Sequence, residues 1–106
     1  MKEPTTPEEV KVLHNLLRSD PQHYLQIVDE WIADNPANSH AYFDRHFAWL
    51  ELGEPRRGLD DLTVSIQLNP RPVAFWSRGE VYRRIGELRK PWRILIALST
   101  SIPRDG

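Results

Sequence analysis

The stretch that decides the fold is residues 38–70, NSHAYFDRHFAWLELGEPRRGLDDLTVSIQLNP. Its apolar residues recur at helical spacing on both sides of the turn Gly53-Glu54-Pro55. The pattern ends at Asn69-Pro70, because the residue before a proline is driven out of the helical region of backbone space. The stretch therefore predicts two helices, one over about 38–52 and one that continues from the turn to Leu68.

The rest of the chain repeats this plan. A shift of 34 residues aligns Leu25, Ile32, Asn35 and Pro36 with Leu59, Ile66, Asn69 and Pro70. A shift of 33 residues aligns identical residues at Ala41 and Ala74, Arg45 and Arg78, Gly53 and Gly86, Glu54 and Glu87, Arg56 and Arg89, Leu62 and Leu95, and Pro70 and Pro103. Three units follow, at about 6–36, 37–70 and 71–103, and each unit predicts two helices in a single all-α domain.

Local signals set the helix ends in the outer units. Thr6-Pro7-Glu8-Glu9 is a capping box with proline at the first helical position. That helix should end near Ser19, and Asp20-Pro21 should begin the next one. In the third unit the turn is expected at Gly86-Glu87, because glycine is the preferred left-handed cap. No window alternates with the period of a strand, so no sheet is expected.

The aromatic and small residues of the units resemble a known repeat. The second unit has Tyr42, Trp49, Gly58, Leu62 and Pro70, and the third has Phe75, Gly79, Tyr82, Leu95 and Pro103. These spacings are similar to the tetratricopeptide repeat (TPR) over about residues 6–103. The resemblance implies a right-handed α-α superhelix of about six antiparallel helices. Two residues depart from the pattern: His46 stands where the family has a small residue, and Pro91 should delay the start of the last helix.

The resemblance also implies a concave groove lined by the first helix of each unit. The residues that would face this groove are Lys11, Asn15, Phe43, Asp44, Phe47, Trp76, Ser77, Glu80, Arg83 and Arg84. Aromatic residues and arginines dominate binding energy at interfaces, so this set predicts a site for a peptide or protein partner. The alternative is that Phe43 and Trp76 pack against neighbouring helices while the arginines lie in water.

Lys11 and Asn15 also match part of the clamp with which some family members hold the C-terminal carboxylate of chaperones. The remaining clamp positions carry Asp44, Val73 and Ser77 in place of an amide and two cations. Asp44 would repel a carboxylate, so binding of chaperone tails is not expected.

The end of the chain predicts a second interface. In the expected last helix, Ile94, Leu95, Leu98 and Ile102 complete one apolar face, while Trp92 and Ile96 point elsewhere. A repeat array normally ends in a polar capping element, and this chain shows none. We expect Trp92 and Ile96 to form the interface of a homodimer or to be covered by a partner. The alternative is a frayed end with a tolerated exposed tryptophan.

Composition limits the other functions. The chain has 106 residues, a formal net charge of −1 and no cysteine, so thiolate metal sites and thiol nucleophiles are excluded. Residues 1–53 carry four basic and nine acidic side chains, and residues 54–106 carry ten and six, which makes the halves −5 and +4 and favours self-association. Adjacent acidic residues such as Asp60 and Asp61 point in different directions on a helix, so we expect them to lie on solvent-exposed helix faces. His40 and His46 are off the spacing of helical metal sites, so no metal or cofactor is expected.

The sequence thus predicts a non-catalytic protein-protein interaction module, an adaptor or scaffold that binds its partner on the concave face. One alternative is a self-assembly element, a homodimer formed through the last helix. Another is a small bacterial-type antitoxin or a chaperone-like protein that neutralises its partner. A cytoplasmic location is expected, with no membrane span, and nucleic acid is not the expected partner because the net charge is close to neutral.

Overall fold

The computed structural model of the chain describes residues 3–89, which contain five α-helices and no strand. The helices are α1 (Pro7–Ser19), α2 (Pro21–Asp34), α3 (Ser39–Glu51), α4 (Pro55–Leu68) and α5 (Pro72–Arg89). The all-α class is confirmed, and so are the predicted ends of α1 to α4. The expected sixth helix, with Trp92 and Ile96, lies outside the described residues. Within residues 3–89, no helix is both long enough and apolar enough to cross a bilayer.

Side-chain caps explain where the first three helices begin. Thr6 accepts a hydrogen bond from the Glu9 amide, and the Glu9 carboxylate accepts one from the Thr6 amide, each at 3.2 Å. Asp20 accepts from the His23 amide at 3.1 Å, and Asn38 accepts from the Ala41 amide at 3.2 Å. Each cap satisfies an amide that has no partner within its helix, so these residues fix the starting point of the coil.

Two glycines that the repeat pattern treats as equivalent behave differently. Gly53 ends α3 in the left-handed region with φ +77°, as predicted for a cap. Gly86 instead lies inside α5, which continues to Arg89, so the turn predicted at Gly86-Glu87 is wrong. A glycine in a helix interior costs only about 1 kcal/mol relative to alanine. Pro55 follows Gly53 closely and forces a new start, whereas the proline after Gly86 comes only at position 91.

The helices pack in chain order, because connections of one to four residues keep neighbours side by side. In addition, α1 contacts α3. A cluster of buried apolar residues joins α1, α2 and α3. It consists of Leu13, Tyr24, Ile27, Val28, Trp31, Ala41 and Ala48. Further along, Leu62 of α4 and Ala74 of α5 are fully buried. The packing therefore continues from one predicted unit into the next.

α3 and α4 approach each other closely at Gly58. A β-carbon placed on Gly58 would lie 3.4 Å from the carbonyl oxygen of His46 and 3.7 Å from a methyl group of Leu50. The small residue that the repeat pattern has at this position therefore lies where the two helices leave little space. His46 tolerates the contact because it meets Gly58 through its backbone and its β-carbon.

Ion pairs around the buried carboxylate of Asp61 and the partly exposed Asp29 link three helices. Arg45 of α3 donates to the two carboxylate oxygens of Asp61 at 2.9 and 2.7 Å, and its third donor bonds Asp29 of α2 at 2.9 Å. Asp61 is buried, so the prediction of a solvated face is wrong for this member of Asp60-Asp61, whereas Asp60 is exposed. The reason is that Arg45, which repeat alignment alone does not orient, points at α4 and neutralises the carboxylate.

Candidate partner-binding groove

Phe47 forms a ridge between two clefts. The α3–α5 cleft has a volume of about 180 Å³ and the α1–α3 cleft about 290 Å³. The α3–α5 cleft is lined by His46, Phe47, Leu50, Trp76, Ser77, Glu80, Val81 and Arg84. The α1–α3 cleft is lined by His14, Asn15, Leu17, Arg18, Phe47 and Glu51. We call the two clefts together the groove.

Aromatic side chains form the middle of the groove. The Phe47 ring meets the Phe43 ring edge to face at 5.3 Å and lies 4.1 Å from the His46 ring. Phe43 is half-buried, whereas Phe47 is 37% exposed and Trp76 is 68% exposed. Of the aromatic residues predicted to face the groove, Trp76 is therefore free of the core and Phe43 is partly packed. An exposed tryptophan and phenylalanine on facing helices offer apolar surface to a partner.

His46 forms the floor of the α3–α5 cleft. It is 1% exposed, and its Nδ1 donates a hydrogen bond to the carbonyl of Phe43. Burial lowers the pKa of His46, against the opposite effects of that hydrogen bond and of Asp61, so the ring is held in its neutral form. The neutral imidazole is buried and has a fixed hydrogen-bond partner, so it forms a rigid floor of the cleft and adds no charge there.

Only some of the polar and charged residues predicted to face the groove line its clefts. Glu80 and Arg84 line the α3–α5 cleft, and Asn15 lines the α1–α3 cleft. Arg83 pairs with Glu80 at 2.8 Å beside the cleft and does not line it, and Lys11 is exposed on α1 without lining either cleft. The structure thus brings together Asn15, Phe47, Trp76, Glu80 and Arg84, with Phe43 behind Phe47.

Arg71, which the sequence analysis did not single out, lies next to this set. Its guanidinium carbon is 5.1 Å from the centre of the Phe43 ring, and its Nε and Nη2 atoms are buried without a hydrogen-bond partner. The only sequence signal is a cation between two prolines in Pro70-Arg71-Pro72, where the chain passes from α4 to α5.

Asp44 is close enough to Arg71 to feel its charge. Burial, together with the charge of Glu3, raises the pKa of Asp44 to about 7, and the charge of Arg71 offsets this rise in part. Glu3 is held nearby by a hydrogen bond of 2.6 Å from the Asn38 amide group. Asp44 was expected to repel a carboxylate, but near neutral pH it carries only part of its negative charge.

A wider depression of about 540 Å³ lies between α1 and α2 and includes Val12, His23 and Ile27. It has no aromatic ring apart from the exposed His23, so it offers no large apolar anchor. Within residues 3–89, no three histidine or acidic side chains gather as metal ligands would.

Comparisons with known proteins add no relative. No protein-family model, no curated protein and no solved structure matches the chain. Its function is therefore inferred from its own residues and their geometry.

Proposed function

We propose that the chain is a non-catalytic TPR-like interaction module that binds a peptide or protein segment in the groove. The right-handed superhelix of three helix pairs is part of this proposal. The contact of α1 with α3, the first helices of two successive units, supports it, as does the close approach at Gly58. Both are arrangements that stacked helix pairs require.

The observation that carries the proposal is the ridge of Phe47 between two clefts, with Trp76 exposed across one of them. Large aromatic side chains that remain in water in the free protein gain most when a partner covers them. Rigid helices hold both residues, so a partner segment binds without first ordering the receptor.

To test this proposal, short random peptides are selected on the immobilised full chain. The selected sequences are then synthesised, and their affinities are measured by fluorescence anisotropy titration. Phe47→Ser combined with Trp76→Ser should weaken binding about 30-fold or more, because a good aromatic anchor contributes about 2 kcal/mol and about 1.4 kcal/mol corresponds to a factor of ten. Val10→Ser combined with Leu68→Ser is the matched control, since both residues are 41% exposed and lie outside both clefts. Selection of no peptide, or equal weakening by both pairs, would contradict the proposal.

A further inference from the structure

Arg71 is a cation whose best hydrogen-bonding edge is unused. Among residues 3–89, nothing accepts from its Nε or Nη2, although both atoms are buried. A buried donor without an acceptor costs free energy, and a charged one costs more. The Phe43 ring, 5.1 Å away, supplies only a cation–π contact. The free protein therefore leaves at Arg71 an interaction that an added acceptor would complete.

Arg45 shows in the same molecule what this edge binds. Its Nε and Nη2 atoms hold the two oxygens of Asp61 at 2.9 and 2.7 Å. This side-on arrangement matches the spacing of two oxygens in one carboxylate. The same two atoms of Arg71 are the ones without a partner. Asp44, which interacts electrostatically with Arg71, makes no hydrogen bond to them.

The charges around the α3–α5 cleft favour the same kind of ligand. Glu80 is already paired with Arg83 at 2.8 Å, so its charge is largely compensated. Arg84 lines the cleft and has no ion pair within the described part of the chain. Arg84 thus leaves positive charge beside the apolar surface of Phe47 and Trp76, and Arg71, whose charge Asp44 offsets only in part, adds two unused hydrogen-bond donors. Such a surface complements a segment that carries both a carboxylate and a large apolar side chain.

We propose that the groove binds an acidic peptide segment, with one carboxylate on the Nε and Nη2 edge of Arg71 and an apolar side chain between Phe47 and Trp76. This proposal rests on the proposed function and names the chemistry of the partner. The proposal includes a rotation of the Arg71 side chain, which is only partly buried, because its Nε and Nη2 atoms are buried in the free protein and Arg71 lines neither cleft there.

The distances set the spacing of the two groups in the partner. The Phe43 ring lies 5.1 Å from the Arg71 guanidinium and 5.3 Å from the Phe47 ring, so Arg71 and Phe47 are at most about 10 Å apart. An extended peptide rises about 3.3 Å per residue. The acidic residue should therefore lie two or three positions from the apolar one.

The test uses the selected peptides and their Glu→Gln or Asp→Asn versions against the full chain. We expect the selection to enrich an acidic residue two or three positions from Phe, Trp or Leu. Neutralising that residue should weaken binding to the wild type about 10- to 100-fold, the range of a charge-assisted hydrogen bond. Against Arg71→Gln, the acidic and the neutral peptides should bind alike, and Arg71→Lys should restore part of the difference.

Arg56→Gln is the matched control, because it removes the same charge from an exposed position on α4 that lines neither cleft. Neutral peptides that bind as tightly as acidic ones and still depend on Phe47 and Trp76 would overturn this proposal and leave the proposed function standing. Equal effects of Arg71→Gln and Arg56→Gln would also overturn it. Single-stranded polyuridine that binds through Arg71 more tightly than any acidic peptide would show that the groove takes nucleic acid. Selection of no peptide at all would remove the proposed function as well.

Discussion

Replacing Arg45 with methionine tests the ion pair that links α2, α3 and α4. The substitution keeps the length and apolar stem of the side chain and removes the guanidinium. It leaves Asp61, which is 4% exposed, without the group that binds both of its oxygens at 2.9 and 2.7 Å. Asp29 also loses its bond of 2.9 Å, but its side chain is 52% exposed and is rehydrated easily.

The magnitude follows from this difference in burial. Removing one partner of a buried ion pair costs about 3–5 kcal/mol, because the remaining charge is desolvated and uncompensated. An exposed pair contributes only about 0.2–1 kcal/mol, so Asp29→Asn should cost less than 1 kcal/mol. A domain of this size has a free energy of unfolding of about 5–15 kcal/mol. Arg45→Met should therefore remove a large share of the stability, nearly all of it through Asp61.

Urea unfolding, monitored by circular dichroism and tryptophan fluorescence, measures these changes in the free energy of unfolding. Arg45→Met combined with Asp61→Leu completes the test, because it removes both charges and refills the space with apolar atoms. We expect this double variant to lie within about 1 kcal/mol of the wild type, as replaced buried ion pairs often do. Loss of less than 1 kcal/mol in Arg45→Met, or a double variant that is less stable than the single one, would refute this account of the pair.

Two further substitutions test the packing and the titration of the groove region. Gly58→Ala should raise the free energy of unfolding by about 0.5–1 kcal/mol, because a β-carbon 3.4 Å from the His46 carbonyl just fits and alanine favours the helix, whereas Gly58→Leu should destabilise the protein. Thermal unfolding separates the two variants, and a destabilising alanine would contradict this spacing between α3 and α4. Asp44→Asn should leave stability almost unchanged at pH 4 and raise it by about 2–4 kcal/mol at pH 8. Its folded-state pKa of about 7 exceeds the ordinary 3.8, so wild-type stability falls as pH rises between these values, and a difference independent of pH would argue against the raised pKa.

The elements that the sequence predicts well are those with chemical signals at their ends. Proline after Thr6 and after Asp20, together with the side-chain oxygens of those two residues, locates the starts of α1 and α2 without tertiary information. Gly53 with Pro55 does the same for the α3–α4 turn. These signals act within a few residues, so they can be identified from the sequence alone.

The predictions were wrong where two residues of the same type lie in different structural environments. Gly86 aligns with Gly53, yet helical neighbours on both sides carry the coil through it. Asp61 lies beside Asp60 in the sequence, yet only Asp61 meets Arg45. The first outcome depends on how closely a proline follows the glycine, and the second depends on a contact between helices, which spacing within one helix does not encode.

The groove was predictable only in part. Stacking of first helices places Phe47, Trp76 and Arg84 together, and the structure has them around one cleft. Arg71 was not predictable in this way, because it lies in the connection between α4 and α5, and helical spacing predicts only positions within helices. Only the fold of that connection brings its guanidinium over Phe43.

The joint between the first two helices has a consequence for engineering. Asp20 is the only residue between α1 and α2: its amide donates to Leu16 at 2.7 Å to close one helix, and its carboxylate receives the His23 amide to open the next. A single inserted residue here would separate the two functions that Asp20 combines and change how α1 and α2 meet. Insertions of tags or reporters should therefore be accepted between the caps Asn35 and Asn38 and rejected at Asp20.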